Sequence, residues 1–135
     1  MDDHDLYVYR VAEVVRVVDG DTFDLVVDPG FRLAYADRFR LFGWDTPEMR
    51  RGSDFEKAEA RRARQAAADW IEAAGDDVMV RTHKADSFGR WLAEVLREDA
   101  DWTTPAGALG LHLQSLALAT EWPTRWRDVF DHDDA

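Results

Sequence analysis

Apolar and polar positions alternate with a period of two through the first third of the chain. Residues 7–18 are rich in Val and Tyr, with Val15 and Val17 flanking Arg16. In residues 22–27, Phe23, Leu25 and Val27 share one face while Asp24 takes the other. In residues 38–43, Phe39 and Leu41 oppose Arg38 and Arg40. Three strands are predicted, the first two joined by the turn residues Asp19-Gly20-Asp21 and the second ended by Asp28-Pro29-Gly30.

The period then changes. Ala63, Ala66, Ala67, Trp70 and Ala74 recur at helical spacing and form one apolar stripe, with Arg61, Arg62, Arg64 and Asp69 largely off it. Ser53-x-x-Glu56 reads as a capping box at the start of this helix and Gly75 as its stop. Two further strands are predicted near 77–84 and 90–97. Thr104-Pro105 then reads as an N-cap and first helical residue, with Leu109, Leu113, Leu116 and Ala117 spaced as a second helix. Five short strands with a helix between the third and fourth, plus a C-terminal helix, is the pattern of an OB-fold. The expected class is therefore α+β, mainly β, built on a five-stranded barrel. There is no internal repeat or linker, so residues 1–135 are expected to form a single domain.

Composition narrows the chemistry. The chain has 135 residues, 46% of them hydrophobic, enough to bury a core. It has no cysteine, which excludes disulfides, zinc ribbons, iron–sulfur clusters and thiol nucleophiles. The N-terminal residues Met1-Asp2-Asp3-His4-Asp5 do not read as a signal peptide, and no apolar run approaches a membrane span. A cytoplasmic protein is expected, and the skewed composition would suit a virus-encoded one acting inside a host cell.

The formal charge of −11 argues at first against a polyanionic partner. Its distribution changes that picture. Residues 1–30 carry a net −6 and residues 91–135 another −6, whereas residues 31–90 carry +1. The acid-rich ends, about 1–6 and 128–135, are expected to be solvated and mobile. Fifteen of the seventeen basic residues are Arg, the better bidentate ligand for phosphate.

Three polar clusters interrupt the apolar frame: Asp19-Gly20-Asp21-Thr22, then Arg40 with Asp45-Thr46-Pro47-Glu48, then Asp86-Ser87-Phe88-Gly89-Arg90. Each alone reads as an ordinary turn, helix start or surface base. Together they hold the parts of a phosphodiester site. Asp21 and Asp45 offer carboxylates, and Thr46 a backbone carbonyl, to a hard cation such as Ca²⁺. Glu48 is placed to act as general base, and Arg40 and Arg90 supply permanent charge for phosphoryl oxygens.

These strings, Val-Val-Asp-Gly-Asp-Thr, Arg40-Leu-Phe-Gly-Trp-Asp-Thr-Pro-Glu48 and Asp86-Ser-Phe-Gly-Arg90-Trp-Leu-Ala, occur in that order, with a helix of the right length between the last two. The chain resembles the staphylococcal nuclease (thermonuclease) family over about residues 14–95. The resemblance implies an OB-fold nuclease that uses one Ca²⁺ ion to hydrolyse DNA or RNA with little sequence specificity, water attacking phosphorus to leave 3′-phosphate and 5′-hydroxyl ends. It implies Asp21, Asp45 and Thr46 as metal ligands, Arg40, Glu48 and Arg90 as catalytic residues, Asp19 as an outer-shell acid and Phe88 as a substrate contact. The expected working unit is a monomer with no membrane partner.

Three departures stand out. Residues 29–37 make a longer segment than usual. Ser87-Phe88 replaces Lys-Tyr. The chain also stops soon after Trp126, so the family's tyrosine-bearing loop and third helix are expected to be missing, leaving Trp122 and Trp126 either as base-stacking residues or as apolar plugs. Arg50, Arg51, Lys57, Arg61, Arg62 and Arg64 could line the site as a basic wall or form a solvated helix face. His83 on a strand edge reads as structural. The competing readings are a non-catalytic OB-fold module that binds nucleic acid or protein, and an acidic mimic of DNA.

Overall fold

The inward positions of the alternating segments close on one another into a barrel. The computed structural model describes residues 7–131. In it β1 (Val8–Asp19), β2 (Thr22–Asp28), β3 (Tyr35–Leu41), β5 (Val78–His83) and β6 (Trp91–Arg97) form a closed five-stranded barrel in the order β1-β2-β3-β6-β5. All neighbours run antiparallel except β3 and β6, which are parallel, with Phe39 opposite Trp91 and Arg40 opposite Leu92. Closure leaves no free edge. Val11, Phe23, Leu25, Phe39, Leu41, Val80, Ala93 and Val95 point inward and are buried. The OB-type, mainly β class expected from the alternation is the class observed.

Helix α1 (Asp54–Ala74) starts where the Ser53 hydroxyl accepts the Glu56 N–H at 3.1 Å and ends at Gly75, whose φ of 56° a residue with a Cβ would resist. It buries Ala63, Ala67, Trp70, Ile71 and Ala74 on the barrel core. It covers the barrel end that carries the Asp19–Thr22 turn. A Cβ on Gly20 would lie 2.8 Å from the Ala63 Cβ, so this glycine is set by close approach.

The second half differs from expectation in several places. Helix α2 (Leu109–Ser115) does not begin at Pro105. The Thr104 hydroxyl and N–H both turn back to the Asp101 carbonyl, at 2.7 and 3.1 Å, and Ala108 pairs with Leu96 as a lone bridge before the helix starts. It also ends early. Ala117 adopts a left-handed φ of 59°, Leu116 is exposed, and Leu118 takes the buried place instead. The third strand starts at Tyr35, so part of the segment expected to be loop is paired with β2. Two short strands, β4 (Trp44–Asp45) and β7 (Thr120–Glu121), pair antiparallel outside the barrel.

A third helix is present, though short: α3 (Trp126–Phe130). The acidic C-terminal stretch expected to be mobile is therefore partly structured. Asp128 lies in α3, and Asp131 accepts a hydrogen bond from the Ser53 hydroxyl at 2.7 Å. The rest of that expectation, at residues 1–6 and 132–135, lies outside the described residues. Among the described residues no helix is long and apolar enough to cross a membrane.

Candidate active site

The β1–β2 turn, the end of β3 and strand β4 bring the first two polar clusters together. Thr22 pairs with Arg40 across β2 and β3, which sets Asp21 beside the Arg40 side chain. Asp45 follows from β4. Its neighbour Trp44 packs against α2 so closely that a Cβ on Gly110 would fall 2.0 Å from the indole nitrogen. One guanidinium nitrogen, Arg40 Nη2, lies 3.8 Å from both Asp21 Oδ2 and Asp45 Oδ1. That spacing exceeds a hydrogen bond, so the arginine sits between two carboxylates without chelating either.

Burial pushes the Asp21 carboxyl above its ordinary value. Arg40 and hydrogen bonds from Thr46 and Thr22 oppose this only in part, and the like charge of Asp19 adds to it. Asp45 is 6% exposed, and its Oδ2 accepts the backbone N–H of Trp126 at 2.7 Å. Thr46 is buried and places its hydroxyl on Asp21. The resemblance concerns its carbonyl oxygen rather than this hydroxyl. Asp19 closes β1 next to this group.

Two converging carboxylates, with a threonine beside them and one of the pair under-compensated for its burial, form a donor set suited to a hard divalent ion. They would hold it through two side chains only. Among the described residues no group of three or more His, Asp or Glu side chains is placed to ligate a metal, so water and carbonyl oxygens would complete the shell.

Glu48 is half-exposed at the rim. Its Oε2 accepts Arg127 Nη2 at 3.1 Å, and its Oε1 lies 3.9 Å from Arg125. Arg127 also bonds Glu56 Oε1, at 3.2 Å from Nε, and Glu56 Oε2 accepts the Glu48 N–H at 2.7 Å. Glu56 is 2% exposed. It was expected as the reciprocal half of a capping box. It is instead an anchor that fixes both the backbone and, through Arg127, the carboxylate of Glu48. Arg125, Arg127 and Glu56 are the site residues that sequence reasoning missed. Their only signal was two arginines in an otherwise acidic C-terminus.

The third cluster leads into β6, the strand beside β3. Arg90 precedes Trp91, whose partner is Phe39, so it lies just before β6, two residues from the level of Arg40. Its Nε and Nη2 bond Asp86 Oδ2 at 2.9 and 2.8 Å. Burial would raise the Asp86 carboxyl, but the N–H groups of Arg90 and Phe88 and the Arg90 guanidinium together hold it below its ordinary value. Phe88 is exposed, with the Arg90 guanidinium 5.4 Å from its ring centre.

The two late tryptophans divide the roles considered for them. Trp126 is a buried plug whose indole donates to the Ala117 carbonyl at 2.9 Å. Trp122 is exposed, 5.8 Å from the Arg40 guanidinium. Arg50, Arg51, Arg61 and Arg64 are exposed, and Arg62 pairs with Glu59 at 2.7 Å, as on a solvated helix face. His83 stacks on Phe42 and bonds Glu94.

No protein-family model matches the chain. It is similar to Protein ParB of Escherichia coli, 39% identical over 84 residues. The alignment takes in 62% of this chain and 40% of that protein, so the chain spans well under half of the curated relative it matches.

Proposed function

We propose that the protein is a divalent-metal-dependent nuclease that hydrolyses phosphodiesters of DNA or RNA. The observation that carries this reading is the convergence of Arg40, Asp21 and Asp45, with Arg40 Nη2 3.8 Å from each carboxylate. Asp21, Asp45 and Thr46 would hold the ion, expected to be Ca²⁺, which when bound supplies Lewis-acid stabilisation of charge on the phosphoryl oxygens.

The chain's own groups do the rest. Arg40, free of tight chelation, turns its guanidinium to the non-bridging oxygens of the scissile phosphate. Glu48, at the rim, takes a proton from the attacking water as the new O–P bond forms. The P–O5′ bond breaks, leaving a 3′-phosphate, and the departing 5′-oxygen takes up a proton from solvent, while Glu48 returns its own to solvent. Arg90, whose Nε and Nη2 bond Asp86, would turn its remaining Nη1 to that oxygen or to the phosphate. Glu48→Gln and Arg40→Ala are each expected to lower turnover by about 10²-fold or more with the fold intact by circular dichroism. Turnover near the wild-type rate would remove these roles.

One observation favours a second reading, a module that binds nucleic acid or protein without cutting it. Glu48 is already engaged by Arg127 at 3.1 Å. Oligonucleotide binding without any cleavage at saturating Ca²⁺ would establish that reading.

A further inference from the structure

Among the described residues, the barrel end opposite α1 is open. Residues at the start of β1, the end of β2, the start of β3, the end of β5 and the start of β6 surround a cavity of about 870 Å³, and no residue of α1, α2 or α3 contributes to its lining. The pleat explains its chemistry. Tyr9, Val27, Tyr35, Phe39 and Trp91 share the inward parity of the buried Val11, Leu25, Leu41 and Ala93, so they form the next layer of the core. Among the described residues that layer meets space rather than a helix. Trp91 and Tyr35 are over a third exposed, as is Tyr7 at the rim.

The walls are flat and aromatic, with polar tips at the mouth. Trp91 Nε1 donates to the Tyr35 hydroxyl oxygen at 2.9 Å, and that hydroxyl donates to Asp37 at 2.6 Å. Phe42 and His83 also line the cavity as parallel rings 3.7 Å apart, and Phe42 remains partly exposed. Lys84 adds a cation to the lining.

We propose that this mouth is a base-binding subsite that receives an unpaired nucleobase of a single-stranded nucleic acid. Three features select that occupant. Aromatic faces stack on any base, and stacking contributes strongly to single-strand binding. The Tyr35 hydroxyl oxygen retains a lone pair for a base N–H group, and Lys84 suits the attached phosphate; an acyl chain would use neither. The mouth also shares β3 and β6 with the proposed phosphate ligands. Tyr35 is five residues from Arg40 on β3, roughly 16 Å at the usual strand rise, and Arg90 lies in between. A strand held at Arg40 would therefore reach the mouth within a few nucleotides. A duplex could not enter, because its bases are paired and stacked. The inference rests on reading the Arg40 cluster as the site of the scissile phosphate.

The test is fluorescence anisotropy with end-labelled oligothymidylates of two and eight nucleotides, in EDTA so that nothing is cut. Wild-type affinity is expected to rise steeply from the dinucleotide to the octamer. Trp91→Ala and, as a milder rim variant, Tyr7→Ala should lose that rise and bind the octamer about tenfold or more weakly, with both folded by circular dichroism and the Tyr7→Ala melting temperature close to wild type. An eight-base-pair duplex should bind no better than the dinucleotide. Octamer affinity unchanged in a folded Tyr7→Ala or Trp91→Ala protein would overturn the subsite, even if the protein cleaves DNA. Equal binding of duplex and single strand would overturn it too. So would Trp91-dependent pelleting with phosphatidylglycerol vesicles in place of octamer binding. Trp91-dependent octamer binding by a protein that cuts nothing in Ca²⁺ would uphold the subsite while removing the nuclease reading.

Discussion

At the scale of single residues, Asp21 is the most revealing group. Its carboxyl is pushed up by burial, so its charge weakens the fold at neutral pH, and this cost is relieved as pH falls through the raised value. Asp21→Asn is therefore expected to raise the melting temperature of the metal-free protein at pH 7 and to abolish any further rise on adding Ca²⁺. A lower melting temperature would show that the ionised carboxylate is a net stabiliser. The turn residues and alternation that place Asp21 next to Arg40 were legible in the sequence. The pairing of Arg90 with Asp86 was not, because a chelating contact within a five-residue turn depends on backbone geometry that residue types do not encode. Glu56 was misread for a related reason. At the third position of a helix a glutamate ordinarily caps the helix or points to solvent, and only the return of α3 makes it a buried partner.

At the scale of elements, the last helix holds the site together. Trp126 donates to Asp45, Arg127 joins Glu48 to Glu56, and Asp131 accepts from Ser53 at the start of α1. Arg127→Ala leaves the Glu56 carboxylate buried without its cation. About 1–2 kcal/mol of stability should be lost in denaturant unfolding, after allowance for the partial exposure of Arg127. Cleavage should fall as well, because Glu48 loses its tether. Unchanged stability would mean that α3 is only resting on the site.

The β5–β6 pair offers a pH test. Burial would raise the Glu94 carboxyl, but Arg81 and His83 outweigh it and hold it below its ordinary 4.5. Its contribution is present above that value and fades as pH falls through the lowered one. Glu94→Gln should be less stable than wild type at pH 7, with the gap narrowing below pH 4.5. These strands and α1 were legible because long periodic segments reveal their buried face. β4, β7 and α3 were not, since elements of two to five residues carry no periodicity and form only when packed.

At the scale of the whole molecule, the charge of −11 no longer excludes a nucleic-acid partner. Asp21, Asp45, Glu48 and Glu56 belong to the Arg-containing cluster, and the barrel mouth is largely aromatic. Among the described residues, the arginines of the cluster lie beside carboxylates, so affinity should depend weakly on salt. For oligothymidylate in EDTA, the slope of log affinity against log salt is expected between about −1.4 and −2.1, as for two or three phosphate contacts. A slope several times steeper would place the substrate on the arginines of α1 instead. The most direct test of the central claim is a cleavage assay on a labelled single-stranded oligonucleotide, with purified protein in Ca²⁺ and in EDTA, beside Glu48→Gln. Products ending in 3′-phosphate are expected to form in Ca²⁺, vanish in EDTA and nearly vanish in Glu48→Gln. Intact oligonucleotide at saturating Ca²⁺, or cleavage that persists equally in EDTA and in Glu48→Gln, would contradict it.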